Sequence, residues 1–179
     1  SLEFESAHLY GLYGANGSGK TMLMRAIAGL MKIDGGHVII DGSEIGKDQD
    51  FPDSIGFIIE NPSFLNTYTG FDNLKLIAEL KRIADDKAIC DALERVGLDP
   101  KDKRKFKKYS LGMKQRLGIA AAIMEKPELI VLDEPTNALD EDAVELLINI
   151  LKEEKSRGAL IILACHDFEF MSQVADRIF

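Results

Sequence analysis

The stretch Gly14-Ala15-Asn16-Gly17-Ser18-Gly19-Lys20-Thr21 decides how this chain is read. An apolar run ending Tyr10-Gly11-Leu12-Tyr13 precedes it, and Met22-Leu23-Met24-Arg25-Ala26-Ile27-Ala28 follows with helical spacing. A Gly-x4-Gly-Lys-Thr pattern set between a strand and a helix is a phosphate loop, because the context supplies what the pattern alone lacks. Gly14, Gly17 and Gly19 let the backbone curl inward without Cβ obstruction, so that successive N–H groups converge on an anion. The helix start behind them adds its partial positive charge. Lys20 would then reach the β- and γ-phosphate oxygens of a nucleotide, and Thr21 would offer its hydroxyl to Mg2+. The competing reading, a glycine-rich turn that happens to carry a lysine, explains neither flank.

A second stretch answers the first. Leu129-Ile130-Val131-Leu132-Asp133-Glu134-Pro135 is an apolar strand that ends in two carboxylates. Such a strand would deliver Asp133 beside the phosphate loop to orient a magnesium shell, with Glu134 at the tip placed to polarise an attacking water. Alone, the segment reads equally well as a strand ending in a solvated acidic turn. A phosphate loop in the same chain tips the balance, since a metal nucleotide needs a carboxylate partner.

Between and around these stretches the periodicity alternates. Ala7 to Tyr13 reads as a buried strand, with Tyr10 and Tyr13 expected in the core. Thr21 to Leu30 reads as a helix, His37 to Ile40 as a strand after the Gly35-Gly36 turn, and Ser54 to Ile59 as a strand reaching Glu60-Asn61-Pro62. The segment 61–70 is a loop, and from Asp72 to about Glu125 the pattern turns helical. Asp85 caps one helix there, Gly97-Leu98 stops it, and Leu111 to Met124 forms another. Leu160 to Ala164 is a further buried strand, flanked by an amphipathic helix over Ala143, Leu146, Leu147, Ile150 and Leu151 and a short helix from Phe168 to Val174. Strands that are apolar throughout and alternate with helices imply an α/β protein with a mainly parallel sheet covered on both faces. Its ligand would bind at the carboxyl ends of the strands. The expected organisation is one domain over 1–179: an α/β core of 1–71 and 126–179, and a small helical subdomain of 72–125.

Composition narrows the function. With 46% hydrophobic and 29% charged residues the chain has a soluble globular profile. Thirty acidic against 22 basic side chains, a net charge of −8, argue against nucleic acid as a main partner. The longest uncharged apolar runs fall far short of the roughly 20 residues that span a bilayer. No leader opens the sequence and Cys90 and Cys165 suggest neither a disulfide framework nor a metal site, so a reducing cytosol is the expected home. Cys165 reads as a small core residue. The basic run Lys101 to Lys108 could contact acidic lipid or a partner's phosphates, but it reads first as a solvated loop, since charge runs are mostly solvated.

The segment Tyr109-Ser110-Leu111-Gly112-Met113-Lys114-Gln115-Arg116, some twenty residues before the acidic strand, resembles the signature segment of ABC ATPases, usually Leu-Ser-Gly-Gly-Gln. Asn137-Ala138-Leu139-Asp140 is similar to their D-loop, and His166, after a strand, to their switch histidine. Together with the phosphate loop and the acidic strand, these motifs run in family order over nearly the whole chain. The resemblance implies a P-loop NTPase fold that binds ATP with Mg2+. The nucleotide is held by Gly14, Asn16, Gly17, Ser18, Gly19, Lys20 and Thr21, the metal by Thr21, Glu60 and Asp133, and Glu134, His166 and Lys20 serve hydrolysis. It further implies that Ser110 and Gly112 face the γ-phosphate held by a second copy in a two-fold ATP sandwich, with Asp140 coupling the two sites. A hydroxyl and free N–H groups at a helix start agree with an anion site there.

Three departures mark this chain. Glu60 stands where most relatives carry glutamine, and Leu111 and Met113 replace Gly and Gln of the signature. Only thirteen residues precede Gly14, so no residue takes the family's adenine-stacking role, and the chain reads as trimmed at both termini. Glu60-Asn61-Pro62 and the signature resemble the subgroup of exporters associated with lantibiotic and bacitracin-type peptides. The implied function is an ATPase subunit that drives a separate transmembrane permease from the inner face of the membrane, with residues 60–70 passing the motion on. A soluble ABC ATPase acting on DNA or the ribosome would carry a long coiled coil or a second cassette, and neither is present. A nucleotide kinase or GTPase would lack the 110–116 segment. A nucleotide-binding module with little hydrolysis is the remaining alternative.

Overall fold

Leu9–Leu12, buried at every position, forms strand β1 and leads straight into the phosphate loop. The computed structural model describes residues 2–15 and 17–179, so Asn16 lies outside the described residues. Helix α1 (Lys20–Ile27) starts at the lysine of the loop, with Gly19 in the left-handed region at φ 93° supplying the turn into it. Strands β4 (Ile55–Ile58), β5 (Leu129–Asp133), β6 (Leu160–Ala164) and β7 (Arg177–Ile178) join β1 in one sheet of order β4-β5-β6-β1-β7. Every neighbouring pair is parallel, as expected of strands apolar on both faces. The segment His37 to Ile40 departs from expectation. Only Ile39–Ile40 is a strand (β2), and it pairs antiparallel with β3 (Ser43–Glu44) in a separate two-stranded ribbon. Asp41 and Gly42, both at positive φ, close that hairpin.

Alternate residues of the central strands supply two cores. Ile130 and Leu132 of β5 and Ile161 and Leu163 of β6 face one way, Leu129, Val131, Ile162 and Ala164 the other. The second face is covered by Met24, Ile27 and Ala28 of α1 and its end. The first is covered by α2 (Gly70–Lys81), α3 (Asp86–Arg95), α4 (Leu111–Ile123), α5 (Glu141–Ser156) and α6 (Phe168–Val174). Thus the helical segment shares one continuous core with the sheet. On α5 the buried stripe is Ala143, Leu147, Ile150 and Leu151, while Leu146 stays exposed. Among the described residues no helix is long and apolar enough to cross a membrane.

Helix caps explain where the helical segment begins. The Thr69 hydroxyl accepts from Asp72 N–H and the Asp72 carboxylate accepts from Thr69 N–H, a capping box that starts α2 inside the stretch expected to be loop. Asp85 caps α3 as the sequence indicated. The basic run keeps its six cations exposed, as a solvated loop would, but it is anchored at one residue. Phe106–Lys108 is a turn of 3-10 helix, and Phe106 is buried edge-on against Phe64 with ring centroids 5.4 Å apart. Tyr13 also departs from its expected place: it is 48% exposed, edge-on to Phe168, because the strand ends at Leu12.

Helix α4 lies against β4 backbone to backbone. A Cβ at Gly56 would collide with the carbonyl oxygen of Ala122, and one at Gly118 would lie 2.5 Å from Pro62 Cγ. This contact fixes α4, and so the signature segment at its start, relative to the sheet. Gly56→Ala is therefore expected to cost about 1–3 kcal/mol of stability through overpacking. Urea unfolding checks it, and an unchanged midpoint would mean that α4 does not press on β4 at this point.

Candidate functional site

The loop before α1 and the end of β5 converge because β1 and β5 are parallel and one strand apart, so their carboxyl ends open on the same side. Gly17, Gly19, Lys20, Thr21 and Met22 from the loop meet Asp133 and Glu134 around a cavity of about 230 Å3. Lys20 Nζ donates to the carbonyl oxygens of Gly14 at 2.7 Å and Ala15 at 3.0 Å, and Ser18 Oγ lies 3.5 Å away, so the ammonium is held over the loop. Thr21 Oγ1 donates to Asp133 Oδ2 at 2.6 Å, joining residues 112 positions apart. Asp133 is only 8% exposed. A buried carboxylate opposite a hydroxyl is a hard, all-oxygen donor set of the kind that suits magnesium.

Glu134 follows at φ 48°, a left-handed conformation that turns its side chain off the strand line, and its N–H donates to Ala164 O of β6 at 2.8 Å. His166 Nδ1 donates to Glu134 Oε2 at 2.7 Å, so these two residues, 32 positions apart, form a pair at the cavity edge. Cys165 Sγ is within 4.8 Å of both groups but is fully buried. Burial pushes its thiol above the ordinary value, although the Thr136 hydroxyl and the Asp167 N–H pull the other way. A protonated, buried thiol is a packing residue.

Glu60 is not among the residues lining the cavity. Its carboxylate accepts from Arg25 of α1 in an exposed ion pair. Ser110 caps α4, its hydroxyl accepting from Met113 N–H at 3.1 Å, and Leu111 beside it is 74% exposed. Neither Ser110 nor Gly112 lines the chain's own cavity. Asp140 caps α5 by accepting from Ala143 N–H at 2.9 Å.

Two contacts were not legible in the sequence. A Cβ at Gly112 would lie 2.7 Å from Ala138 O, so the glycine is required where the start of α4 touches the turn 137–140 of the same chain. Gln115, 6% exposed on the same helix, donates from Nε2 to Pro135 O at 3.1 Å and Glu134 O at 3.4 Å. The signature helix thus holds the backbone on which Glu134 is turned outward. A glutamine within a largely apolar helical run is the signal the sequence offers, and by itself it names no partner.

A glycine-wrapped anion cradle facing a carboxylate pair across the end of a parallel sheet defines a P-loop nucleotide-binding protein. Comparison with protein families matches residues 1–137 to the ABC transporter family. Three curated relatives match nearly the whole chain. The ABC transporter ATP-binding protein YybJ of Bacillus subtilis is 49% identical, covering 98% of this chain and 81% of the relative. The lantibiotic transport ATP-binding protein SrtF of Streptococcus pyogenes is 36% identical, covering 99% and 76%. The bacitracin transport ATP-binding protein BcrA of Enterococcus faecalis is 38% identical, covering 99% and 58%. Among solved structures, an ATP-binding subunit of an ABC transporter superposes with a TM-score of 0.89 at 26% identity, over 99% of this chain and 77% of that one. A dimeric ATP-binding cassette in a post-hydrolysis state with ADP and Pi gives 0.87 at 25% identity, over 99% and 82%. The chain belongs to the ABC transporter family, and its fold is that of the ATP-binding subunits.

Two expectations follow from the geometry. At a pH near the ordinary thiol value of about 8.5, an alkylating reagent should modify half-buried Cys90 and leave Cys165 untouched until the protein unfolds, as mass spectrometry would read. Gln115→Leu takes the partner from the buried Pro135 carbonyl, while Glu134 O keeps Asn137 N–H, and should cost about 1–3 kcal/mol of stability. ATP turnover should fall with it while nucleotide affinity is kept; turnover equal to the parent's would show that Gln115 does not position Glu134.

Proposed function

We propose that the chain binds ATP with magnesium in the cavity between the phosphate loop and β5 and hydrolyses it. It does so as one of two copies that close around the nucleotide, powering a separate transmembrane permease from the inner face of the membrane. The observation that carries this reading is the convergence of Lys20, Thr21, Asp133 and Glu134 on one cavity at the strand ends. The relatives SrtF and BcrA are named for lantibiotic and bacitracin transport, which supports a peptide or antibiotic substrate.

Backbone N–H groups of the loop would hold the phosphates, with Gly14, Asn16, Gly17, Ser18 and Gly19 allowing their approach. Lys20 would exchange its loop carbonyls for β- and γ-phosphate oxygens. Thr21 and Asp133, already paired, would hold the cation; Glu60 would join them only by releasing Arg25. Bound there, magnesium supplies positive charge against the charge that develops on the transferred phosphoryl group. Glu134 accepts the proton of the attacking water as its oxygen bonds to the γ-phosphorus and the bond to ADP breaks. His166 steadies that carboxylate through Nδ1, which leaves Nε2 for the γ-phosphate. Ser110 and Gly112 at the exposed start of α4 would meet the nucleotide of the second copy, and the helical segment 72–125 would carry them as a subdomain. Asp140 would act in this contact through the turn it anchors. Residues 60–70 would transmit closure to the permease.

Glu134→Gln tests the chemistry. It should lower turnover roughly a hundredfold or more, the scale of a lost general base, while retaining ATP and accumulating dimers in size-exclusion chromatography. An undiminished rate removes Glu134 from this role. Binding of ATP by the parent chain without any magnesium-dependent turnover would instead favour a module that binds and does not hydrolyse.

A further inference from the structure

Helix α1 offers two stations on one face. Thr21 and Arg25 are four residues apart, about 6 Å along the axis, and each engages a carboxylate from beside a strand end: Thr21 that of Asp133, Arg25 that of Glu60. Strands β4 and β5 pair with Ile58 opposite Leu132, and this register carried on two places sets Glu60 abreast of Glu134, which lines the cavity. Glu60 itself does not line it. Its side chain is 63% exposed and turned to the Arg25 guanidinium instead.

This turn away from the cavity is held rather than relaxed. Glu60 sits at φ 66°, a left-handed conformation that costs a residue with a side chain, and the exposed ion pair that accompanies it is a weak tie. Glu134, its neighbour in register, is left-handed as well, at φ 48°. Charge explains the choice of partner. Among the described residues that line it, the cavity sets Asp133 and Glu134 against Lys20, so a third carboxylate there meets more repulsion than attraction. Nucleotide phosphates alone would deepen that repulsion. A divalent cation reverses the balance, since it draws a carboxylate with twice the charge of a guanidinium.

We propose that Arg25 is a positioning residue: it keeps Glu60 off the cavity until a magnesium nucleotide is bound, and Glu60 then passes from Arg25 to the cation. The inference deepens the reading above, in which Thr21 and Asp133 hold the cation and Glu60 can join them, and it rests on that reading. It gives Arg25, which lines no part of the cavity, a share in metal affinity. It also gives the segment 60–70 a trigger, because its first residue changes partner when the metal arrives and not when ATP alone does. A glutamine at this place would have no charge to offer either cation, so the exchange belongs to Glu60.

The affinity of the whole chain for a non-hydrolysable ATP analogue, measured in EDTA and again with magnesium, tests it; the gain on adding the metal is the readout. Arg25→Gln should enlarge that gain by up to about fivefold, the scale of one exposed ion pair, and leave the affinity in EDTA unchanged. Arg25→Lys, which keeps the charge, should stay near the parent. In a Glu60→Gln background, Arg25→Gln should change nothing. Amide exchange gives a second readout: residues 60–64 should exchange faster in Arg25→Gln than in the parent when the analogue is bound in EDTA, and equally fast once magnesium is added. A gain that is equal in the parent and in Arg25→Gln overturns the proposal. So does a smaller gain in the variant, which would mean that Arg25 presents Glu60 to the metal. No gain in any form, the parent included, overturns the reading of Thr21 and Asp133 as the metal site and the inference with it.

Discussion

A single hydrogen bond, Thr21 Oγ1 to Asp133 Oδ2, closes the structure around its function. Asp133 ends a strand whose other residues are buried on both faces, and a carboxylate drawn so far from water is costly unless something answers it. The answer comes from the first turn of α1, which the phosphate loop delivers only if β1 occupies its place beside β6. Strand order, loop and carboxylate are consequently one constraint. Shifting any of them would leave a buried charge unpaired.

Much of this was legible in the sequence because the decisive features are local. The phosphate loop, the acidic end of β5, the parallel α/β plan and the buried β6 each declare themselves within about eight residues, through backbone needs and apolar periodicity. What escaped depended on contacts between distant segments. That Glu60 pairs with Arg25 of α1, 35 residues earlier, is one such contact. Tyr13 looks like strand until the sheet ends one residue earlier. The lysines of 101–108 are as exposed as expected, but their six charges conceal the ring that anchors the segment, Phe106. Thr69 looked like loop because a cap is non-helical and shows only through Asp72, three residues on.

The signature helix is the part that most changes meaning when seen in three dimensions. Read along the chain, Ser110 and Gly112 concern a second molecule. In the fold, Gly112 also accommodates Ala138 of its own turn 137–140, and Gln115 grips the backbone of Glu134 and Pro135. One face of the helix start is exposed while its inner side holds the backbone of Glu134 in place. Contact made on the exposed side is therefore mechanically adjacent to the chemistry on the buried side, with Gly56 against Ala122 keeping the helix from drifting.

The position of β1 has a consequence for how the protein comes into being. Leu9 of β1 lies opposite Ile161 of β6 and Tyr10 opposite Arg177 of β7, so among the described residues the strand pairs with segments made long after it. Pairing of such sequence-distant strands is slow, since a long stretch of chain must be ordered before the contact repays the entropy lost. During synthesis β1 waits for these partners until residues 160–178 emerge. The glycine loop at its end would thus be firmly seated for nucleotide only after β6 has been made.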